Sequence, residues 1–292
     1  MILLTGATGN VGSKLLRRLT AEGERVRCLV RDPRRLGPER VRVQIALGDL
    51  SDPGSFRNAM RGVKTVVHMA APMRDQPGAP IEELNGVATY RLVRAAERAG
   101  AERFVFFSAM GATEHSPTRF FRSKALAERA VADSSVPSTI FAPSIVYSPG
   151  NYWVTVMERL TWLPAVPIAG RGGARYQPIW AEDVVDCVLA ALREDGDGST
   201  RYELAGPDVL TYDDMARLVM RYAGRRRRLL HVPLPLVRSL LNASEQVFAG
   251  ATAATWDEAQ LMQAPLFSST GTDDARRLGV SPLPMREVLA AT

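Results

Sequence analysis

The sequence predicts an α/β protein built on a doubly wound parallel sheet, with a smaller lobe in its C-terminal half. Two observations support this fold class. Residues 1–4 form a short apolar strand that leads at once into a glycine-rich loop and a helix, and strand and helix patterns then alternate through the first half of the chain. Because parallel strands are joined by helical crossovers, this alternation is typical of a sheet with helices on both faces.

The first loop carries a run of glycines at the start of a helix. It has the sequence TGATGNVG over residues 5–12, and residues 13–19 have the apolar spacing of a helix. Gly6 suits a tight turn, Gly9 lets backbone approach a phosphate, and Gly12 lets the helix pack closely on the strand. With the positive end of the helix dipole, this order of elements predicts a Rossmann-type pyrophosphate site. Its expected contact residues are Gly6, Thr8, Gly9, Asn10, Val11 and Gly12.

The remaining elements follow from the same periodicities. Further strands are predicted over residues 25–30, 41–47, 63–69, 103–107, 138–142, 201–204 and 229–232. Helices are predicted over residues 81–99, 120–133, 181–192, 212–222, 236–248 and 255–262. Prolines and glycines become frequent after Pro149, where the alternating rhythm stops. We therefore expect a dinucleotide-binding domain over residues 1–149 and a smaller mixed α/β substrate lobe over residues 150–292, packed partly back on the sheet.

The composition is that of an ordinary globular protein, with 46% hydrophobic and 23% charged residues. No stretch reaches the roughly eighteen apolar residues of a membrane span. Met1 already begins the first predicted strand, so no leader is expected. Cys28 and Cys187 lie far apart without the spacing of metal ligands, which indicates a reducing compartment. We expect a cytoplasmic protein with no membrane span and no metal site.

The net charge of +6 has its densest run at residues 225–228, four consecutive arginines. An apolar segment follows directly, so the run is expected to be a solvated turn before a strand. No aromatic residues interleave with these arginines, as a platform for single-stranded nucleic acid would require. No nucleic-acid partner is therefore expected, and the basic excess suits an anionic cofactor.

Arg31, at the end of the second strand, bears on which dinucleotide binds. It lies about twenty residues after the glycine loop, where an acidic residue would bond the adenosine ribose and favour NAD. An arginine at this position pairs better with the 2′-phosphate of NADP. The sequence therefore favours NADP, while NAD stays possible if Asp32 takes the ribose role and Arg31 faces solvent.

Two further strand ends supply candidate contacts. Asp49 closes the third strand and can accept from the adenine amino group while Leu50 packs on the ring. The alternative role of Asp49 is to cap the following helix. After the fourth strand, Ala70 and Ala71 are small enough to allow close backbone approach to the cofactor, whereas His68 is interpreted as structural.

The chain resembles the extended and atypical short-chain dehydrogenases/reductases. The resemblance rests on the glycine loop, Asp49-Leu50, His68 to Ala71, Ser108, Lys124 and the segment QPIWAEDVV over residues 177–185, in that order. It covers nearly the whole chain. The most similar branch contains NmrA-like regulators, NAD(P)H-binding epimerase-like proteins and the nucleotide-binding accessory subunit of respiratory complex I.

The resemblance implies a degenerate catalytic motif. Active members use Tyr-x-x-x-Lys, in which the lysine bonds the nicotinamide ribose and the tyrosine exchanges a proton with the substrate. Lys124 is present here, but Phe120 stands at the tyrosine position. Ser108 corresponds to the serine that orients substrate, unless that serine aligns with Ala109. By the same resemblance, Pro143 lies along the nicotinamide side of the cofactor.

Three functions remain open at this point. The first is an NADP(H)-dependent reductase of a quinone or small carbonyl compound, with solvent, Tyr147 or Tyr152 replacing the missing acid. The second is a non-catalytic NADP(H)-binding redox sensor or assembly protein. A sugar-nucleotide epimerase or dehydratase is disfavoured, because those reactions begin by oxidising a hydroxyl and the tyrosine that would take its proton is missing. The substrate is an unknown small molecule, and the resemblance implies a homodimer formed through helices after the fourth and fifth strands, or an assembly partner.

Overall fold

Seven parallel strands form the central sheet of the computed structural model, which describes residues 1–76, 78–194, 198–239, 241 and 256–291. The strands are β1 (Ile2–Thr5), β2 (Val26–Val30), β3 (Gln44–Leu47), β4 (Thr65–His68), β5 (Arg103–Phe107), β6 (Ser138–Pro143), β7 (Val146–Tyr147), β8 (Ala165–Ala169), β9 (Arg175–Tyr176), β10 (Ile179–Trp180), β11 (Thr200–Leu204), β12 (Leu210–Thr211) and β13 (Arg228–Val232). The helices are α1 (Asn10–Ala21), α2 (Gly54–Ala59), α3 (Ala88–Arg98), α4 (Arg119–Ala132), α5 (Tyr152–Leu160), α6 (Ala181–Arg193), α7 (Tyr212–Tyr222), α8 (Trp256–Leu261), α9 (Asp273–Arg277) and α10 (Met285–Ala290).

The order of strands across the central sheet is β3-β2-β1-β4-β5-β6-β11, and every neighbouring pair is parallel. The order reverses between β1 and β4. In open α/β sheets, ligands bind at such a switch point, beside the carboxyl ends of the strands. The predicted Rossmann-type fold class is confirmed, and the glycine loop lies at this position.

Two layers of apolar side chains cover the sheet, one on each face. Successive residues of a strand point to opposite faces, so Leu3 packs with α2, α3 and α4 while Leu4 packs with α1 and α6. A third cluster fills the C-terminal half around Tyr176, Tyr212 and Met215. Phe120 belongs to this third cluster and thereby joins α4 to the C-terminal half.

The chain after residue 149 contributes to the central sheet and to the helices on one of its faces. Within it, β11 is the seventh strand of the central sheet, and α6 packs against α1. Three two-stranded sheets, β7–β10, β9–β12 and β8–β13, lie outside the central sheet, and all of their strands except β7 come from this part of the chain. The first and third of these sheets are parallel, and the second is antiparallel. The helix α5 packs against α7 and β8.

Several elements differ from the sequence prediction, which lacked β7, β8, β9, β10, β12, α5, α9 and α10. The third strand was expected from residue 41 but begins at Gln44, because residues 33–41 form 3-10 turns that start at Pro33 and kink at Gly37, where φ is +60°. The helix expected over residues 81–99 contains a π-helical segment, Glu83–Val87, directly before α3. Most of the helix expected over residues 236–248 lies outside the described residues.

No helix within the described residues is long and apolar enough to cross a bilayer. The same part of the chain contains no cluster of three or more His, Cys, Asp or Glu side chains that could hold a metal ion. Cys28 and Cys187 are both buried and both carry free thiols.

Candidate functional site

The glycine loop is shaped by two close backbone contacts. Gly6 has a φ of +73°, and a Cβ there would lie 2.6 Å from the backbone N of Ala70. A Cβ on Gly12 would lie 2.1 Å from the carbonyl oxygen of Gly6. Gly9 is different, since its backbone is extended and a Cβ would meet only the Gly6 oxygen, at 3.3 Å. Gly6 and Gly12 therefore serve packing, whereas Gly9 leaves the outer side of the loop open.

The N-terminus of α1 faces this open side. Gly9 precedes the helix, and no side chain caps its first turn. The Asn10 Oδ1 accepts a hydrogen bond of 2.6 Å from the Ser148 hydroxyl, which ties the helix start to the segment after β7. Thr8 and Val11 are half-buried beside it. An uncapped helix start with free N–H groups is suited to an anion.

Arg31 and Asp49 meet at the carboxyl ends of β2 and β3. The Arg31 Nη1 lies 3.8 Å from the Asp49 Oδ2, and both side chains are partly exposed. The Asp49 Oδ1 accepts from the backbone N–H and the hydroxyl of Ser51. Asp52, not Asp49, holds the start of α2, because its Oδ1 accepts from the N–H of Gly54 at 2.9 Å. Leu50 packs partly against the core beneath.

Asp32 has a structural partner of its own. Its carboxylate accepts from the backbone N–H of Arg34 and pairs with the Arg34 guanidinium at 3.0 Å. The Arg34 contacts lower the pKa of Asp32. This carboxylate therefore caps the 3-10 turns that follow β2.

His68 is buried in a chain of hydrogen bonds between β1, β4 and α3. The Thr89 hydroxyl donates to the carbonyl of Asn85, so it must accept from the His68 Nε2–H at 2.9 Å. The Nδ1 then accepts from the Thr5 hydroxyl at 2.6 Å, and the Thr5 oxygen is left to accept from the N–H of Ala70. Burial, and the nearby Lys124 ammonium, lower the pKa of His68 to about 3. The structural interpretation of this neutral histidine agrees with these contacts.

Lys124 is buried between α4 and the end of β5. Only 1% of the residue is exposed, which excludes a surface position. Its Nζ donates to the carbonyl of Phe107 and lies 4.6 Å from the centre of the Phe106 ring. Burial lowers the pKa of the ammonium to about 7, against a smaller raising effect of Glu128. An ammonium has three N–H donors, and one of them is bonded within the described residues.

Other buried polar atoms near the strand ends also lack partners within the described residues. They are the Asn85 Oδ1, the Ser108 Oγ and the Tyr147 hydroxyl. Asn85 lies in the π-helical segment that packs on α4, and Ser108 directly follows β5. Phe120 lies one helical turn before Lys124, with its ring buried edge-on against Phe121. Unpaired buried polar groups are costly, so each of these atoms is suited to bond a ligand.

Asn85 is a site residue that the sequence prediction missed. The signal was the pair Asn85-Gly86 inside a helical pattern, since both residue types are poor helix formers. A Cβ on Gly86 would lie 3.6 Å from the carbonyl of Ser123, so this position lets the segment approach α4 closely. The Asn85 Nδ2 meanwhile donates to the carbonyl of Pro72 and holds the loop after β4.

The remaining candidate residues make backbone or packing contacts. Pro143 ends β6, and its carbonyl accepts from the N–H of Met110 at 2.9 Å. Ala71 and Ala109 pack partly against the C-terminal cluster. Tyr152 is exposed at the start of α5, whereas Tyr147 is fully buried.

The segment over residues 177–185 is bonded to three later parts of the chain. The Gln177 side chain donates to the carbonyl of Gly206 and accepts from the N–H of Ser268 at 2.6 Å. The Asp183 Oδ2 accepts from the N–H of Leu283, and burial raises the pKa of this carboxyl to about 6. These bonds give the segment a structural role.

Together, these features fit a nicotinamide dinucleotide. The fit rests on the open glycine loop beside an uncapped helix start, on the partly bonded Lys124, and on the unpaired Asn85 Oδ1 and Ser108 Oγ. The two regions lie at opposite sides of the switch point, after β1 and after β5. Arg31 and Asp49 lie beyond the glycine loop, on the side of β2 and β3.

A family model described as NAD(P)H-binding matches residues 6–195, and the chain belongs to this family. The match includes the glycine loop, Arg31, Asp49, Ser108 and Lys124. The predicted nicotinamide cofactor is thereby confirmed at the level of the family, while the choice between NADP and NAD stays a prediction.

Curated relatives include both reductases and subunits or assembly proteins of larger complexes. The chain is 27% identical over 248 residues to NADH dehydrogenase [ubiquinone] 1 alpha subcomplex subunit 9, mitochondrial, of Arabidopsis thaliana, covering 80% of this chain and 61% of that one. It is 29% identical to (4-alkanoyl-5-oxo-2,5-dihydrofuran-3-yl)methyl phosphate reductase of Streptomyces griseus, covering 87% and 89%. It is 23% identical to photosystem II assembly factor Ycf39 of Synechocystis, covering 93% and 86%. The chain thus spans less than two thirds of the plant subunit.

Solved structures show the same fold. A double mutant of DesIV, a dTDP-glucose 4,6-dehydratase from Streptomyces venezuelae with NAD bound, matches with a TM-score of 0.76 at 19% identity, covering 100% of this chain and 95% of that one. A nucleoside-diphosphate-sugar epimerase from Staphylococcus aureus matches with a TM-score of 0.76 at 18% identity, covering 99% of each chain. These two structures share the predicted fold, and the predicted resemblance to NAD(P)H-binding proteins and the complex I subunit is confirmed by the family model and the curated relatives.

Gly9→Val tests the pyrophosphate position. The extended backbone of Gly9 accepts a β-branched residue, and a Cβ has only one close neighbour, so the variant should fold. The added side chain would fill the open side of the loop, and NADPH binding should fall by at least about a hundredfold. Binding is measured by the fluorescence of the reduced nicotinamide, and folding by circular dichroism.

Gly173→Val is the matched control for Gly9→Val. A Cβ on Gly173 would have no neighbour within 4 Å, so the same change should leave both fold and binding intact. Native affinity in Gly9→Val would place the phosphate site elsewhere.

Lys124 should make the stability of the protein depend on pH. Between pH 7 and pH 10.5 the unfolded chain protonates this lysine and the folded chain does not, because burial lowers its folded pKa to about 7. The unfolded state then binds more protons, so stability rises with pH across this window. We expect the free energy of unfolding in urea to rise by about 1–3 kcal/mol from pH 7 to about pH 9.

Lys124→Met should remove this rise, since no amine remains to be neutralised. Lys64→Met is the control, because Lys64 is exposed and pairs with Glu102 at the surface. The control should keep the rise seen in the native protein. An equal rise in Lys124→Met and in the native protein would show that Lys124 is not the group responsible.

Proposed function

We propose that the protein is a reductase that uses NADPH to reduce a quinone or another small carbonyl compound. The observation that carries the proposal is the combination of a buried, partly bonded Lys124 with a phenyl ring at position 120. The polar groups suited to a nicotinamide ribose are kept, whereas the usual proton donor is absent. The reductase from Streptomyces griseus among the relatives supports an activity of this class.

Each part of the cofactor has residues suited to hold it. The glycine loop, with Gly6, Thr8, Gly9, Asn10, Val11 and Gly12, would hold the pyrophosphate. Arg31 would hold the 2′-phosphate, with Asp49 and Leu50 at the adenine. Ala70, Ala71 and Pro143 would line the nicotinamide side, and Lys124 would bond the ribose hydroxyls. When bound, NADPH supplies a hydride to the acceptor.

Reduction of a quinone to a hydroquinone consumes one hydride and one proton, and Phe120 has no proton to give. Hydride addition would leave the anion of the hydroquinone. Water can protonate this anion at neutral pH, because the hydroquinone is a weak acid. Tyr147 is the other candidate donor. Burial, together with the charges of Asp183 and Asp208, raises the pKa of its phenol, which keeps the hydroxyl protonated. Ser108 would orient the acceptor through its unpaired hydroxyl.

The second candidate is a non-catalytic NADP(H)-binding redox sensor or assembly protein. The missing donor at Phe120 favours it, as do relatives named as a complex I subunit and an assembly factor. Val87, Tyr90 and Leu126 form exposed apolar positions at α3 and α4, which suit a homodimer or an assembly partner. The two buried free thiols support a cytoplasmic location.

Arg31→Ala tests the preference for NADPH. The Arg34 pairing leaves Asp32 without a free carboxylate for a ribose, which supports the arginine as the recognition group. Loss of a charge-assisted contact should weaken NADPH binding by about 1–3 kcal/mol and leave NADH binding nearly unchanged. Titration of both cofactors against the native protein and the variant measures this difference.

Arg40→Ala serves as the control for Arg31→Ala, since Arg40 is an exposed arginine of the following 3-10 segment. It should bind both cofactors as the native protein does. Equal affinity of the native protein for NADPH and NADH would contradict the proposed NADP preference.

Oxidation of NADPH with a panel of quinones and aldehydes tests the activity itself. We expect turnover with at least one acceptor and very weak oxidation of alcohols, because general acid–base catalysis contributes roughly 10²–10⁴ in rate and is missing here. NADPH binding without turnover on any acceptor would favour the sensor or assembly protein. Rapid oxidation of alcohols would contradict the role given to Phe120.

Phe120→Tyr adds the phenol at the position one helical turn before Lys124 and should raise alcohol oxidation. Phe121→Tyr is the matched control, because it adds the same hydroxyl to the neighbouring buried ring but outside that spacing. A gain in Phe120→Tyr alone would support a retained nicotinamide site. An equal gain in both variants would show that the hydroxyl position is immaterial.

A further inference from the structure

An exposed basic and aromatic surface lies where β8 and β13 begin. We call it the Arg–Trp surface and define it by Trp162, Leu163 and Arg225–Arg228. The two strands are parallel and aligned from Arg228 opposite Ala165, so the segments that precede them meet at the same end of this small sheet.

Direct contacts hold the two segments together. The Arg225 guanidinium lies 3.6 Å from the centre of the Trp162 ring, and its Nη1 donates to the Thr161 hydroxyl at 3.0 Å. The Arg227 Nε donates to the carbonyl of Thr161 at 3.1 Å. Thr161 itself is fully buried, so it anchors both arginines to the core. Arg226 and Arg227 are exposed directly before β13, which agrees with the predicted solvated turn before a strand. Trp162 comes to this run from more than sixty residues away, so its contact with Arg225 could not be read from the sequence.

Nearly all of the net charge of the chain gathers here. α5 and α7 end at this surface and add Arg159 and Arg221. Residues 157–164 and 219–230 together contain six arginines and one acidic residue, Glu158, against a net charge of +6 for the whole chain. Among the described residues, Arg226 and Arg228 are exposed and no carboxylate pairs with either.

Large apolar side chains are exposed among these charges. Trp162 is 73% exposed and Leu163 is 44% exposed. Leu230 is 57% exposed and lies on the same face of β13 as Arg228, two residues earlier. Exposed tryptophan and leucine beside unpaired arginines match the chemistry of the lipid headgroup region, where rings and alkyl groups enter the interface and cations meet phosphates.

We propose that the Arg–Trp surface docks on the surface of a bilayer that contains anionic phospholipids. Arg226 and Arg228 meet the phosphates, while Trp162 and Leu163 enter the interface. A nucleic acid would use the arginines but not the leucines, and Arg225 already covers one face of the Trp162 ring that a base would need. This docking requires no membrane-spanning helix, and it does not depend on the proposed reductase activity.

The test uses the full chain and vesicles of phosphatidylcholine, alone or mixed with phosphatidylglycerol. We expect the protein to co-sediment with the mixed vesicles, to be released by salt, and not to bind phosphatidylcholine alone. Arg226→Glu/Arg228→Glu should weaken binding to the mixed vesicles by at least about 25-fold, at about fivefold for each arginine lost. Trp162→Ala should weaken it by about fivefold or more.

Arg57→Glu/Arg98→Glu is the matched control, because it makes the same change in net charge at exposed arginines of α2 and α3. It should bind the mixed vesicles within about threefold of the native protein, and thermal unfolding should show that all variants are folded. The proposal is overturned by the absence of binding to mixed vesicles, or by equal loss in the control. In particular, a nucleic-acid site is indicated if the native protein binds a single-stranded oligonucleotide and no vesicles, and if Arg226→Glu/Arg228→Glu loses the oligonucleotide. That result would also overturn the proposal.

Discussion

The nucleotide site depends on one backbone contact, the approach of α1 to the loop that precedes it. With a Cβ on Gly12 only 2.1 Å from the Gly6 oxygen, any side chain would push the helix away from β1. Gly6 in turn lies against the backbone of Ala70, so the loops after β1 and β4 are fixed to each other. These contacts place the helix N-terminus at the point where the strand order reverses. The open side of Gly9 is a consequence of this packing, because the neighbouring backbone is all on the inner side.

A second layer of the site is held by buried polar groups. His68 links Thr5 to Thr89, and through them it connects β1 and β4 to the π-helical segment. Burial keeps this histidine neutral, and burial also shifts the pKa of Lys124 towards neutrality. Hydrogen bonds offset part of the free energy that burying these polar groups costs, whereas the Asn85 Oδ1 and the Ser108 Oγ have no partner within the described residues. Ser108 directly follows β5, at the carboxyl end of a strand, which is where ligands bind in this fold.

Much of the fold could be predicted because its signals are local. The spacing of apolar residues located β5 and α7 to the residue, and β2, β4, β6, β11, α4 and α6 to within one or two residues, whereas the short strands β7, β9, β10 and β12 were not predicted. The candidate site residues could be predicted where they belong to a short motif, as for the glycines of the loop and for Lys124. Asn85 was missed because its role comes from a π-helical segment, which sequence periodicity does not reveal. Of the two roles left open for Asp49, contact with the adenine and capping of α2, the structure gives the second to Asp52.

The sequence by itself determined the class of fold, the dinucleotide loop and the absence of a phenol at position 120. These properties reside in residue types and short spacings, which the chain carries before it folds. Only the tertiary structure decided which polar groups lack partners, that Asp32 is occupied by Arg34, and that Trp162 lies on Arg225. The physical reason is that burial and pairing depend on residues far apart in the chain, and folding alone brings those residues into contact.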